Sequence, residues 1–292
     1  MASLATGTHA FIPKKKTLAP GQRLVLWVSR IIIWFFILLA MFPIYFVLLA
    51  SLKGGQSFFS GNLFPRSITL QNYWTLLTQT SFLTWMRNSL IVGLLLGTVQ
   101  IIFTATSAYA FSRMKFFGRK YGLMTLLLLQ MFPNALAVSA ILAVLTQLNL
   151  LDNLYIYVLV QAGGSAFNIW LLKGYLDTIP RELDEAAVMD GANSMQIYLR
   201  IILPLSVPML VVIFLFTFIG SFNEFLLGST ILQSPSNYTL PIGLFQFIQG
   251  QFAKNWTEFS AAALLAAVPL TVLYAVFQKW IVSGLVAGSV KG

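Results

Sequence analysis

A chain of 292 residues that is 58% hydrophobic, only 9% charged and +10 in net charge is excluded from the ordinary soluble domains, where about a quarter of residues are charged. The lack of cysteine removes disulfides and thiol chemistry and leaves the redox compartment open. The single histidine, His9, sits in a polar leading segment, which argues against a histidine-built metal site or proton relay within the helices, so no metal site is expected.

Residues 1–30 are polar and basic and carry no small-residue cleavage pattern, so they read as a tail rather than a cleavable signal. Uncharged apolar runs long enough for a span of ~20 residues then occur at residues 31–52, 88–112, 121–151, 153–172, 201–223 and 259–278. They predict an all-α polytopic membrane protein with six transmembrane helices in one domain over residues 31–282, followed by an extended tail at 283–292. Continuous runs of this kind do not fit the alternating strands of a membrane barrel. Pro43 falls inside the first helix, where a membrane helix tolerates it by kinking. The following loop, residues 54–87, holds a TLQNYW segment at 69–74 that suits a short interfacial helix.

The basic residues set the topology. With the amino terminus inside, only Lys53, Arg66, Arg87 and Lys254 of the 18 Lys and Arg fall outside, and both termini are expected to be cytoplasmic. The excess charge therefore points to a bilayer and not to nucleic acid.

The third run is too long for one straight span and contains QMFPN at 130–134, so the helix is expected over residues 124–146, bent at Pro133. Gln130 and Asn134 could line a path or bond to neighbouring helices at a packing kink. Gly163, Gly164, Ser165 and Ala166 offer a smooth face for close contact of the fourth helix, residues 155–172. In the fifth helix, residues 205–226, Asn223 and Glu224 lie near the outer end. A carboxylate there is costly unless hydrated or paired, which leaves a path role and a structural bond both open.

Between the fourth and fifth helices lies a polar island, residues 177–204, reading DTIPRELDEAAVMDGANSMQIYLRIILP. It holds Asp177, Glu182, Asp184, Glu185 and Asp190 of the chain's eight acidic residues. Pro180 and the acids suit a helix start, where they meet the positive end of the dipole. Leu183, Ala186 and Ala187 fall on one approximate face, Gly191 is the expected joint, and Asn193 or Ser194 is the expected cap of a second short helix. The apolar face can enter a partner's cleft while Glu182, Asp184, Glu185 and Asp190 meet cationic groups around it, a solvated connector being the alternative.

Glu185-Ala186-Ala187, three residues, Gly191, nine residues and then Ile201-Ile202-Leu203-Pro204 resemble the EAA loop of binding-protein-dependent ABC importer permeases. AYAFSRMKFFGRK at 108–120, QMFP at 130–133, FNEFLL at 222–227 and the terminal GLVAGSVKG are further matches, and the resemblance, covering nearly the whole chain, is to MalG-like subunits of carbohydrate uptake systems. It implies a type I ABC importer transmembrane domain in a bacterial inner membrane, paired with a second, different permease. Two ATP-binding subunits below and an extracytoplasmic solute-binding protein above are implied with it. In that family Glu185, Ala186, Ala187, Asp190, Gly191, Leu203 and Pro204 would form the ATPase coupling site. The segment with Gln249, Gly250, Gln251, Asn255 and Trp256 would probe the binding protein's sugar cleft. The solute implied is maltose, a maltodextrin or another oligosaccharide, acidic ones included. No GxxxxGK[ST] loop is present, so the chain is expected to be a non-enzymatic subunit with no cofactor of its own, ATP and Mg2+ belonging to the partner ATPases. A secondary transporter is the competing reading, but it needs a coupling set of charged residues that the predicted spans do not offer. A non-transport membrane scaffold also fits the composition.

Overall fold

A computed structural model describes residues 20–55, 68–132, 134–249 and 255–287. Among them the chain is helical, the only β pairing being an isolated bridge between Lys53 and Ile68. It divides into two units, Met1–Val47 and Leu48–Gly292. In the first, α1 (Pro20–Ser51) begins before the predicted apolar run, takes in Arg23 and Arg30, and continues through Pro43. Its residues 21–45 are all exposed, and Arg30 lies over the Trp27 ring at 5.3 Å.

The second unit starts with the last turn of α1. The short helix predicted near residues 69–74 is α2 (Gln71–Gln79). Its Asn72 amide donates to the Ser51 and Lys53 carbonyls, both at 2.8 Å, which closes the end of α1. α3 (Phe82–Arg113) is long enough to span, and Arg113 in its last turn meets the negative end of the dipole.

The single bent helix expected over residues 124–146 is two helices, α4 (Arg119–Gln130) and α5 (Asn134–Gln147), neither of spanning length by itself. Pro133, at the break, lies outside the described residues. The fourth predicted span is also broken, into α6 (Leu154–Ala162) and α7 (Ala166–Leu176), bent by 53°. Gly163-Gly164-Ser165, expected to be a contact face, is the break itself. Two glycines and a serine lower the cost of leaving the helix, and no side chain there resists it.

α8 (Glu182–Met189) follows, then α9, Ser194–Ser221, another span-length helix. After α10 (Leu226–Ile231) and α11 (Leu240–Gln246), α12 (Trp256–Ala287) carries the last apolar run and continues to Ala287, into the segment expected to be an extended tail. Among the described residues, four helices can cross a membrane by length and composition, or five with the bent pair as one, against the six predicted. The shortfall lies at the α4–α5 break.

At the far end from the island, the positive-φ residue Asp152 (φ 56) ties the α5–α6 turn to the loop after α10. Its carboxylate accepts from the Gln233 and Ser234 amides at 2.9 Å and from the Ser234 hydroxyl, and its own carbonyl accepts from Asn237 at 2.8 Å. Burial alone would raise this carboxyl's pKa; the Ser234, Gln233 and Asn237 hydrogen bonds outweigh burial and lower it.

α3 and α9 form the centre of this unit. Gly93 and Gly97 of α3 face Phe218 and Phe214, whose rings occupy the place of a side chain: an added Cβ would lie 2.8 Å and 2.6 Å from them. Small residues thus let α3 approach α9 closely, the mode by which helices associate where water supplies no driving force. Gly97→Leu should lower stability by about 1–3 kcal/mol through overpacking against Phe214, with a smaller loss for Gly97→Ala. Thermal unfolding of the detergent-purified protein checks this, and an unchanged midpoint for Gly97→Leu would contradict the close seat.

Candidate functional site

The island folds as a helix, a joint and a cap. α8 carries Glu182, Asp184 and Glu185 in its first turn, against the positive end of its dipole. Gly191 has φ +83, a left-handed conformation that costs an L-residue about 1–2 kcal/mol. Asn193 then caps α9 reciprocally: its side chain accepts from the Gln196 amide at 2.9 Å, and the Gln196 side chain accepts from the Asn193 amide at 2.8 Å.

The expected second short helix is not separate. It is the start of α9, which runs on through a π turn at Tyr198–Ile202, where the Leu203 amide reaches the Tyr198 carbonyl. Pro204 cannot donate to the Arg200 carbonyl and its ring crowds that position, so a widened turn just ahead relieves the clash without ending the helix. Leu203 is half-buried and Pro204 exposed.

α8 has two unlike faces, and they differ from the predicted ones. Ala187 is 8% exposed and packs among Tyr109, Leu172, Leu176, Ile197 and Ile202. Beside it Asp184 meets Arg113 of α3, Oδ2 to Nε 2.8 Å, with side chains 19% and 6% exposed. Neither group is therefore available to a partner as expected. Glu182, Glu185, Ala186, Met189 and Asp190 are exposed, with Leu183 on the flank and Met189 the most open at 87%. The spacing of 182, 185, 186 and 189 puts them on one stripe.

A polar lattice holds the inward face. Arg113 Nη2 donates to the Ile179 carbonyl at 2.8 Å, and the Ser112 hydroxyl donates to Asp177 Oδ1 at 2.7 Å. Arg119 and Arg181 both donate to the Ser112 carbonyl, at 2.8 and 3.2 Å. Lys173 donates to Asp177 Oδ2 at 2.5 Å. Burial would raise the Asp177 carboxyl's pKa, but the bonds from Lys173 and Ser112 and the nearby charges of Lys173 and Arg113 lower it. In the sequence Arg113, Arg119 and Lys173 stand out as topology charges, the first two also within the segment at 108–120 that carries the family resemblance. The available signal was a Ser-Arg pair closing a span just ahead of a basic turn.

The two helix breaks meet through Gln130. Its Nε2 donates to the Gly164 carbonyl at 3.1 Å, and its Oε1 accepts from the Phe167 amide at 2.9 Å. From the other side the buried Gln100 donates to the Ala162 carbonyl at 3.2 Å and accepts from Asn168 at 3.3 Å. Gln130 is thus both a bridge between interrupted helices and an exposed polar group at the break. Asn134 opens α5; its side chain lies outside the described residues.

Glu224 is a structural acceptor. Tyr157 donates to its Oε2 at 2.5 Å, and the Leu227 and Gly228 amides donate to its two oxygens at 2.7 and 2.9 Å. It therefore holds the start of α10 against α6, while Asn223 bonds back to the Ile219 carbonyl. Gln249 is exposed, and Gly250 and Gln251 lie outside the described residues. Asn255 accepts from the Glu258 amide at 3.1 Å and its own amide donates to the Phe247 carbonyl at 2.9 Å, so it caps α12; Trp256 lies edge-on to Phe259 at 5.8 Å. Among the described residues no group of His, Cys, Asp and Glu could hold a metal ion.

A family model described as the binding-protein-dependent transport system inner membrane component matches residues 100–286. The galactooligosaccharides transport system permease protein GanQ of Bacillus subtilis (strain 168) is 37% identical over 268 residues, 90% of this chain and 95% of that one. The maltose/maltodextrin transport system permease protein MalG of Escherichia coli (strain K12) is 34% identical over 292 residues, 93% of this chain and 98% of that one. In fold, the chain is similar to a crystal structure of a bacterial ABC transporter involved in the import of the acidic polysaccharide alginate, with a TM-score of 0.76 at 24% identity over 91% of this chain and 100% of that one.

The lowered pKa of Asp177 fixes the sign of a pH effect. Its contribution is complete above the ordinary carboxyl range and is lost only as pH falls through the lowered folded value. The Thr178 and Ile179 amides, which donate to the Tyr175 and Leu176 carbonyls, should therefore stay protected from exchange in mild acid and lose protection in strong acid, and in Asp177→Asn they should be unprotected throughout. Loss of protection in the wild type already in mild acid would contradict the lattice.

Proposed function

The chain belongs to the family of binding-protein-dependent transport system inner membrane components, and we propose that it is one permease of an ATP-driven importer of neutral oligosaccharides. In this reading it forms the path with a second, non-identical permease in a bacterial inner membrane, with both termini cytoplasmic. Two ATP-binding subunits carry ATP and Mg2+ beneath it, and an extracytoplasmic solute-binding protein delivers the sugar from above.

The observation that carries the reading is the two-sidedness of α8. One face is locked to the chain's own body by Asp184 and Ala187, and the other offers Glu185, with Glu182 and Asp190, around the apolar Ala186 and Met189. An apolar centre ringed by like charge suits a cleft with cationic edges. ATP binding closes the partner dimer and moves α8 bodily; the path then turns outward, and hydrolysis reverses the movement. Polar side chains at the breaks, Gln130 foremost, are the groups we assign to the path, where loosened backbone can face a cavity. Glu224 is better placed to hold the path's wall than to touch solute. Relatives of galactooligosaccharide and maltodextrin systems, aligned over nine-tenths of the chain, support a neutral sugar.

Glu185→Arg should reduce co-purification of the ATP-binding subunits by about tenfold or more, the effect of reversing a charge at an interface, and abolish uptake while membrane insertion is unchanged. Gly191→Val should act in the same direction through its backbone cost. Normal co-purification and uptake in both variants would sink the docking role. In proteoliposomes of the whole assembly, neutral malto- or galacto-oligosaccharides should stimulate ATPase activity and uronate oligomers should not; the reverse would overturn the solute class.

A further inference from the structure

The Arg113–Asp184 contact joins two elements that a partner would otherwise move separately. Arg113 closes α3, a span that packs through Gly93 and Gly97 against Phe218 and Phe214 of α9. Asp184 belongs to the first turn of α8. The guanidinium reaches both α8, through Nε to Asp184, and the turn ahead of it, through Nη2 to the Ile179 carbonyl. Separating such a pair strands a charge where water is scarce, which costs far more than parting the exposed Lys173–Asp177 pair, whose side chains are 32% and 40% exposed. The contact is one of proximity more than alignment, since Arg113 Nε and Asp184 Oδ1 both lack hydrogen-bond geometry to any partner among the described residues. With side chains 6% and 19% exposed, neither Arg113 nor Asp184 has full access to water in this position.

Two routes lead from α8 into the membrane. One passes through Gly191, whose left-handed backbone forms the joint, and enters α9 at the Asn193 cap. The other bypasses that joint and enters α3 at Arg113. We infer that Arg113 is a positioning residue which, through Asp184, makes α8 and the island end of α3 one rigid piece, so that α3 takes the stroke of the ATP-binding subunits directly. This rests on the docking role proposed for α8. Ser112, bonded to Asp177 and accepting from Arg119 and Arg181, braces the same piece from behind.

The chain has no cysteine, so paired spin labels can be placed on the exposed Phe117 and Val188 within the complete transporter. In the wild type the distance between them should be the same with and without ATP. In Asp184→Asn it should broaden and become ATP-dependent, and uptake should fall about tenfold while the ATP-binding subunits co-purify within about twofold of wild type, as for a residue that tunes coupling without touching the ligand. Arg113→Lys keeps the charge but not the two-way reach, and should fall between the two. A wild-type distance that changes with ATP overturns the inference, as does an Asp184→Asn protein with the wild-type distance and uptake. Loss of co-purification in Asp184→Asn overturns it too, by making Asp184 part of the docking contact. Failure of the docking role itself is read separately, from intact co-purification in Glu185→Arg.

Discussion

A backbone group that leaves its helix inside hydrocarbon has no water to turn to, and it must find a protein partner or not leave at all. The α6–α7 break in this chain meets that demand with side-chain amides. Gln130 serves Gly164 and Phe167 at once, one group donating and the other accepting, while Gln100 serves Ala162 and is itself oriented by Asn168. The second interruption thus depends on the first: the end of α4 supplies a partner that lets α6 and α7 part. Where a break can be avoided, the chain takes a smaller departure. At Pro204 a single widened π turn keeps α9 continuous, because each displaced carbonyl still finds an amide one residue further on.

The same accounting explains why the island is stiff on one side. Its turns leave the carbonyls of Ser112 and Ile179 outside any helix ladder, and arginines from three different elements, Arg113, Arg119 and Arg181, take them up. Arginine suits this work because its planar fork offers several donors and it stays charged at any physiological pH. Asp177 and Asp184 are the counter-charges, and the inward face is held by the bonds to Ser112, Ile179 and Asp177 and by the Arg113–Asp184 contact. The outward face of α8 has no such claims on it, so its acids remain free to meet another chain. One short helix therefore combines a fixed seat and an open surface, which is what a rigid transmitter needs.

How much of this could be read from the residues varies by kind of signal. Long apolar runs located the four span-length helices, and the spacing around Gly191 located the joint, since a positive φ and a glycine go together; Asn193 as a cap and the helix over Glu182–Met189 were legible for the same local reasons. Which way α8 faces was not, because periodicity says that Asp184 and Ala187 share a side without saying whether that side meets Arg113 or a partner. Apolarity pointed to Ala187 as a contact residue, and a small apolar side chain is equally suited to close packing at home. The break at Gly163–Ser165 read as a packing surface for a related reason: small residues permit both close contact and departure from the helix, and only the neighbour decides. The bond that Glu224 makes was not legible either, because its donor, Tyr157, is far away in sequence.

The distribution of these bonds has a mechanical consequence. At the far end, Asp152 clamps the α5–α6 turn to the loop after α10, and Asn88 of α3 donates to the Ser236 and Tyr238 carbonyls of the same loop at 2.8 and 2.9 Å. At the island end, the arginine lattice binds α3, α7 and α8. Between them α3 and α9 are pressed together over Gly93 and Gly97, with no room to slide without moving an aromatic ring. The α4–α5 and α6–α7 breaks meet through a pair of single hydrogen bonds from one exposed glutamine, each worth about 1 kcal/mol net, and the second break is tied to α3 by Gln100 as well. Bonds of that strength exchange readily, whereas enclosed ion pairs and interlocked rings do not. If α8 receives the stroke proposed for it, the displacement passes through the α3–α9 centre to the hydrogen-bonded breaks.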